Sequence, residues 1–220
     1  MAAVLTVSGF AADVAGEGLQ ILGTLTARDG NLPEGAVSLS LLGPDGPAFW
    51  PIFEASPEAQ DGAPDPLDRW SVRVVGALAE RAGGTAIFPF GGPPWHPFLR
   101  WAEATGRIYT SPVGLLVHPT EGLWVSFRGA VALPHTLSLP ALPSPCVSCV
   151  DQPCRSACPA GAMVPEGYDV PKCKSHIEAP EGVACRSGCR VRASCPVGIG
   201  RRTARQSAFH MAAFHPGAPT

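Results

Sequence analysis

Residues 146–196 read CVSCVDQPCRSACPAGAMVPEGYDVPKCKSHIEAPEGVACRSGCRVRASCP. All 8 cysteines of the 220-residue chain lie in this stretch, and residues 1–145 have none. Cysteines used only as small packing residues would be scattered. The chain therefore divides into a cysteine-free part and a cysteine-organised module. The first run is C-x2-C-x4-C-x3-C, made of Cys146, Cys149, Cys154 and Cys158, with Pro159 behind it. Cys173, Cys185, Cys189 and Cys195 follow, with Pro196 behind the last.

This spacing has a chemical reading. A [4Fe–4S] cubane takes one thiolate per iron, and in two-cluster ferredoxins the cysteine before proline ligates the other cluster. Eight thiolates fill two cubanes with none left over. The crossed assignment puts Cys146, Cys149, Cys154 and Cys195 on one cluster, and Cys158, Cys173, Cys185 and Cys189 on the other. Gln152 and Pro153 lengthen the first run beyond the usual C-x2-C-x2-C, so the loop has to bulge before Cys154.

Other uses of cysteine compete with this one. Zinc ribbons use paired C-x2-C knuckles, but only Cys146/Cys149 has that spacing, and a ribbon gives the two Cys-Pro endings no role. Disulfides need an oxidising compartment. The N-terminus, MAAVLTVSGFAADVAGEG, has no basic n-region, and Asp13 and Glu17 interrupt it. It is a poor secretory signal, so the expected location is cytoplasmic. Eight unrelated buried thiols in one short span fit the pattern least well.

A hydrophobic content of 45% with 15% charged residues argues against disorder. No apolar run approaches the ~20 residues of a membrane helix. Residues 1–145 carry 7 basic and 13 acidic side chains, a balance of −6, whereas residues 146–220 carry 9 basic and 5 acidic, a balance of +4. Arginine supplies most of the positive charge. Arg186, Arg190, Arg192, Arg201, Arg202 and Arg205 form a basic region suited to offsetting cluster charge, or to docking an acidic redox partner or RNA.

In the first part, residues 4–15 read as a short helix, 19–27 as a buried strand, 28–31 as its turn and 36–42 as a second strand. The segment Phe49-Trp50-Pro51-Ile52-Phe53 reads as an aromatic loop plugging the core. Asp65 as cap and Pro66 at the first position open the best helix, with Leu67, Trp70, Val74 and Leu78 on one face and Gly83-Gly84 as its stop. Residues 85–88 read as a strand, 97–105 as a turn or two of helix, and 114–118 with 123–131 as a hairpin. Four prolines between 133 and 145 suggest an extended crossover. In the module, Tyr168-Asp169-Val170 opens a helix carrying Cys173. Residues 201–214 read as a helix whose small face, Ala204, Ala208, Met211 and Ala212, suits packing over a cluster or the first part. The expected layout is an α/β (α+β) platform over 1–133, a crossover over 134–145, and a loop-rich, two-cluster ferredoxin-like module over 146–220.

The order C-x2-C, C-x3-CP-x-GA, Y-D-V-x-x-C, C, C and CP resembles the cluster module of epoxyqueuosine reductases and, more loosely, of corrinoid reductive dehalogenases. Ala102 to Gly106, Tyr109-Thr110, Gly114 to Val117 and Gly122 to Val125 resemble the stretch leading into those clusters. The likeness covers about residues 95–197. It implies an α/β cobalamin-binding region, related in fold to nitroreductases and cobalamin-processing proteins, that receives electrons from the two clusters. The family's acidic D-S-A-P-like motif has no counterpart in the Gly91-Gly92-Pro93-Pro94-Trp95 tract. The electron-transfer half therefore carries over better than the tRNA-modifying chemistry.

Three functions follow as expectations. The first is an electron-transfer protein with two [4Fe–4S] clusters and a redox partner protein. The second is a cobalamin- or flavin-dependent reductase, an oxidoreductase whose pocket is lined by Trp50, Phe53, Trp95, His96 and Tyr109. The third is RNA binding through the basic region.

Overall fold

The structure, a computed structural model, describes residues 7–29 and 32–214. Two units emerge: residues 1–108 with 126–142, and residues 109–125 with 143–220. The division differs from the expected 1–133/146–220, because residues 109–125 leave the platform and join the cysteines.

The first unit is built on an antiparallel sheet. Helix α1 (Val7–Gly16) precedes β1 (Leu19–Thr26) and β2 (Ser38–Pro44). Of the helix expected over 4–15, residues 4–6 lie outside the described residues, as do Gly30 and Asn31 of the expected turn. That turn is held where it begins: the Thr26 N–H and hydroxyl both donate to Asp29 Oδ2 at 2.8 Å. Helix α2 (Gly46–Glu54), helix α3 (Pro57–Gln60), helix α4 (Pro66–Arg81), strand β3 (Thr85–Ile87) and helix α5 (Phe98–Ala104) follow. The chain then supplies β4 (Tyr109–Thr110) and β5 (Leu116–Val117) to the second unit and returns with β6 (Gly129–Leu133).

Strand order is β1-β2-β6-β3, and every pairing is antiparallel. The platform is therefore α+β; antiparallel neighbours need none of the helical crossovers that an α/β sheet requires. The expected hairpin of 114–118 with 123–131 does not form. β5 pairs with β4, and β6 pairs with both β2 and β3. All five residues of β6 are buried. A central place between two strands satisfies both edges of this apolar GAVAL run, whereas a hairpin satisfies one.

The aromatic segment is also a correction. Residues 49–53 lie in α2, which contains Pro51, rather than in a loop. Proline costs least in the first helical turn, where an N–H has no partner, and Pro51 sits just past it. Phe49, Trp50 and Phe53 are buried, and the Trp70 ring of α4 meets Phe49 edge-on at 5.3 Å. α4 buries Leu67, Trp70, Val74 and Leu78 as its periodicity predicts. Asp65, however, makes no side-chain cap; it takes a left-handed φ of 51°. The proline-rich tract 134–142 runs beside the sheet. The Ser38 hydroxyl donates to the His135 carbonyl at 2.7 Å and accepts from the Leu137 N–H at 3.1 Å, and Thr24 Oγ1 accepts from the Leu139 N–H at 2.8 Å. These bonds satisfy backbone groups that proline-interrupted chain cannot pair in a ladder.

Arg73 of α4 grips Glu58 of α3 through two hydrogen bonds, at 2.5 and 2.9 Å. These bonds hold the Glu58 carboxyl down from its usual 4.5 to about 2. A carboxyl depressed on folding stabilises the fold above its unfolded value, and that contribution is lost as pH falls. The wild type is expected to lose stability between about pH 4.5 and 2 more steeply than Glu58→Gln. Thermal melts of both proteins across that window check this; parallel curves would contradict it.

In the second unit, the β4–β5 hairpin packs with the cysteine loops. A 3₁₀ turn over Pro153–Arg155 precedes β7 (Met163–Val164) and β8 (Gly167–Tyr168). Helices α6 (Val170–Glu178), α7 (Val183–Arg186), α8 (Arg190–Ala193) and α9 (Ala204–Phe214) complete it. Asp169 caps α6 by accepting from the Lys172 N–H at 2.9 Å. α9 buries Gln206 and Ser207, while Ala204, Ala208 and Ala212 are exposed. The expected small-residue face is therefore not the packed one. No helix among the described residues is long and apolar enough to cross a membrane.

Candidate metal centre: two cysteine quartets

An apolar nucleus of Val113, Val117, Leu123 and Val191 organises the second unit, with Cys154 buried among them. Cys146, Cys158, Cys189 and Cys195 pack around it. Short loops bring the thiols there. Gln152 takes a left-handed φ of 39°, the bulge that the two extra residues require, and its side chain accepts from Arg155 Nε at 2.5 Å. Pro153 then opens the 3₁₀ turn that carries Cys154.

Cys146, Cys149, Cys154 and Cys195 all line one apolar hollow of about 360 Å³, with Val117, Leu123 and Pro196 among its walls. Burial pushes the Cys146 thiol up, and the charges of Cys154, Cys195 and Cys149 push it further. Cys154 is raised in the same way, by burial and then by Cys195 and Cys149. The other four thiols behave as a second set. Burial raises Cys173, and Cys189 and Cys158 add to it. Burial raises Cys185, followed by Cys189, Cys173 and Cys158. Cys195, the Cys-Pro cysteine of the second run, thus shares one hollow with three thiols of the first run.

The donor chemistry fits iron–sulfur clusters. All 8 thiols are free of disulfides. Burial and neighbouring thiolate charge disfavour ionisation of Cys146, Cys154, Cys173 and Cys185, a cost that bound cations reverse. Among the described residues, no group of three or more His, Cys, Asp or Glu is gathered tightly enough to hold one metal ion.

Polar groups converge on these sulfurs. The Ala162 N–H donates to Cys158 Sγ at 3.2 Å. Burial, first, and the neighbouring Cys173 push the Tyr168 phenol well above its ordinary range. The Cys146 backbone N–H donates to Ser144 Oγ at 3.4 Å. Arg192 donates to the Leu123 carbonyl. Burial pushes its guanidinium down, while the charges of Cys189 and Tyr168 pull it back up.

Residues 118–124 brace the first quartet. His118 is buried, and its Nδ1 accepts from the Thr120 N–H at 3.2 Å. Buried Glu121 pairs with Arg201 at 2.7 Å. Arg202 lies over the Trp124 ring at 5.1 Å. Arg186 donates to the carbonyls of Ile177, Glu178 and Ala179 at the end of α6. Four of the six arginines of the basic region therefore act as internal pins. Distant backbone partners of this kind leave no periodic trace in the sequence, so sequence reasoning missed them. The buried Glu121 was also missed; an acid following the turn Pro119-Thr120 was its faint signal.

The residues expected to line a cofactor pocket differ in their surroundings. Trp50 and Phe53 fill the core of the first unit, whereas Trp95 is 65% exposed and His96 is exposed, stacked on Trp101 at 5.8 Å. Tyr109 belongs to the second unit, packed against the apolar nucleus. None of the five lines the cysteine hollow. Their aromatic character reflects packing for three of them, and aromatic side chains dominate cores for their area alone. No family model matches this chain, and no curated protein matches it.

Proposed function

We propose that the chain is an iron–sulfur electron-transfer protein carrying two [4Fe–4S] clusters, one on Cys146, Cys149, Cys154 and Cys195, the other on Cys158, Cys173, Cys185 and Cys189. One observation supports it above the rest: four cysteines from two distant runs, one of them a Cys-Pro cysteine, line a single apolar hollow. An apolar wall limits water around a cluster and is one lever on its potential. The chain's own residues supply the thiolates, a hydrogen bond from the Ala162 N–H to Cys158 Sγ, and cations that offset cluster charge. A protein redox partner would exchange the electrons. The resemblance to epoxyqueuosine reductases adds weight to the cysteine part alone. Trp50 and Phe53 are core residues and Trp95 and His96 face solvent, so cobalamin or flavin is not part of the proposal.

Anaerobic reduction tests this reading. Purified protein is expected to show broad absorbance near ~400 nm that bleaches with dithionite and returns on mild oxidation. A colourless protein with no reversible bleaching would contradict it. Titration with cobalamin and with flavins, read in the cofactor spectra, is expected to show no saturable binding.

A further inference from the structure

The three most exposed large apolar side chains among the described residues are Val150 at 93%, Val147 at 87% and Ile199 at 79%. They come from distant parts of the chain and meet around one hollow. Val147 adjoins Cys146, Val150 adjoins Cys149 and Ile199 follows shortly after Val197, and Cys146, Cys149 and Val197 all line it. Pro145, Pro153 and Pro196 add further apolar walls. The backbone beneath these side chains is held. The Val147 N–H donates to the Ser144 carbonyl at 3.2 Å and the Cys149 N–H to the Cys146 carbonyl at 3.4 Å, which closes the turn under both valines. Ile199 follows Gly198, where an added Cβ would strike the Glu121 carbonyl oxygen. Branched aliphatic side chains are thus presented to water from packed turns. Exposed apolar patches rimmed by polar residues mark interaction sites.

Charge decides what covers the patch. The two segments that form the mouth, 145–155 and 195–205, carry Arg155, Arg201, Arg202 and Arg205 against one acid, Asp151. Glu121 neutralises Arg201, which leaves three arginines to one aspartate. Arg155, Arg205 and Asp151 are exposed. The hollow at Cys185 has neither feature: its apolar walls are Pro159 and the alanines 157, 184 and 193, and it carries Glu181 and Arg190, of opposite sign. Resting on the two-cluster reading above, we infer that the face of Val147, Val150 and Ile199 docks a protein redox partner, apolar at the centre of its own face and acidic at its rim, and that electrons pass through the first quartet. Redox encounters bury little surface, so a small apolar centre suffices, and complementary rim charge steers the approach.

The test mixes reduced holoprotein with a ferric haem protein in a stopped-flow cell, with iron and sulfide measured on the same samples. The probe is cytochrome b5, an acidic one-electron acceptor, with the basic cytochrome c as its counterpart. In each case the reduced cluster gives up one electron, the haem iron goes from ferric to ferrous, and no bond or proton moves. The wild-type rate with cytochrome b5 is expected to fall as salt is added, and the rate with cytochrome c to rise. Val150→Asn and Ile199→Asn, both at exposed positions, are each expected to slow cytochrome b5 reduction by roughly tenfold. Oxidation of the same variants by ferricyanide, which is small and needs no docking face, is expected to match wild type. Variants with full iron and sulfide that reduce cytochrome b5 as fast as wild type, or a cytochrome b5 rate that rises with salt, would overturn the inference and leave the two-cluster reading standing. Sedimentation in which wild type self-associates and the Asn variants do not would assign the patch to a second copy of this chain, and would overturn it too. Wild-type protein without sulfide would remove the two-cluster reading, and the inference with it.

Discussion

On the proposed two-cluster reading, Gly122→Ala is expected to cut the iron content of the protein by about half. Gly122 has a φ of 55°, in the left-handed region where a Cβ costs roughly 1–2 kcal/mol. The added carbon would land on the Val197 carbonyl oxygen and 3.2 Å from Cys195 Sγ. Neither can yield cheaply. Val197 follows the Cys-Pro pair, and a Cβ added at the facing Gly198 would in turn strike the Glu121 carbonyl oxygen, so two backbones pass close together. Overpacking of this kind costs about 1–3 kcal/mol where the site can adjust. Here the adjustment displaces Cys195, the one ligand of its quartet that comes from the second run. The second quartet is not in this contact and is expected to keep its cluster. Metal analysis of the purified variant checks this: about four irons per chain is the expected result, and about eight would show that the turn does not position Cys195.

Trp70→Ala is expected to lower the stability of the platform by about 3–5 kcal/mol. Trp70 is 1% exposed, and its ring meets Phe49 at 5.3 Å and Phe53 at 6.3 Å, both nearly perpendicular. Edge-to-face pairs add about 0.5–1.5 kcal/mol beyond the area they bury. The cavity left under α2 faces two fully buried phenylalanines that have no slack to fill it. Against a typical total of about 5–15 kcal/mol, this is a large fraction. Urea unfolding followed by circular dichroism measures it. Trp70→Phe is expected to lose less than half as much, and equal losses for the two variants would contradict the ring-packing explanation.

The sequence made some parts of this molecule legible because their causes are local. α4 follows from Pro66 and from the spacing of Leu67, Trp70, Val74 and Leu78, which share one face of a helix. α6 follows from Asp169 as its cap. The sharing of one hollow by Cys146, Cys149, Cys154 and Cys195 agrees with the grouping read from their spacing. Parts decided by distant partners were not. The GAVAL run of β6 carries the same pattern whether it joins a hairpin or the centre of a sheet, and only its neighbours β2 and β3 decide. Pro51 masked a helix whose apolar face is held by Trp70. Arg186, Arg192, Arg201 and Arg202 look like a solvated basic face in sequence. Their carbonyl, carboxylate and ring partners lie up to 80 positions away, as for Arg201 and Glu121. The unit boundary was misplaced for the same reason, since residues 109–125 carry no cysteine yet wrap the cysteine nucleus.

The most direct test of the central claim is a count of metal and acid-labile sulfide in protein purified without oxygen. Two cubanes on the two quartets predict about eight iron and about eight sulfide per chain. Stoichiometric zinc with no sulfide would contradict the claim.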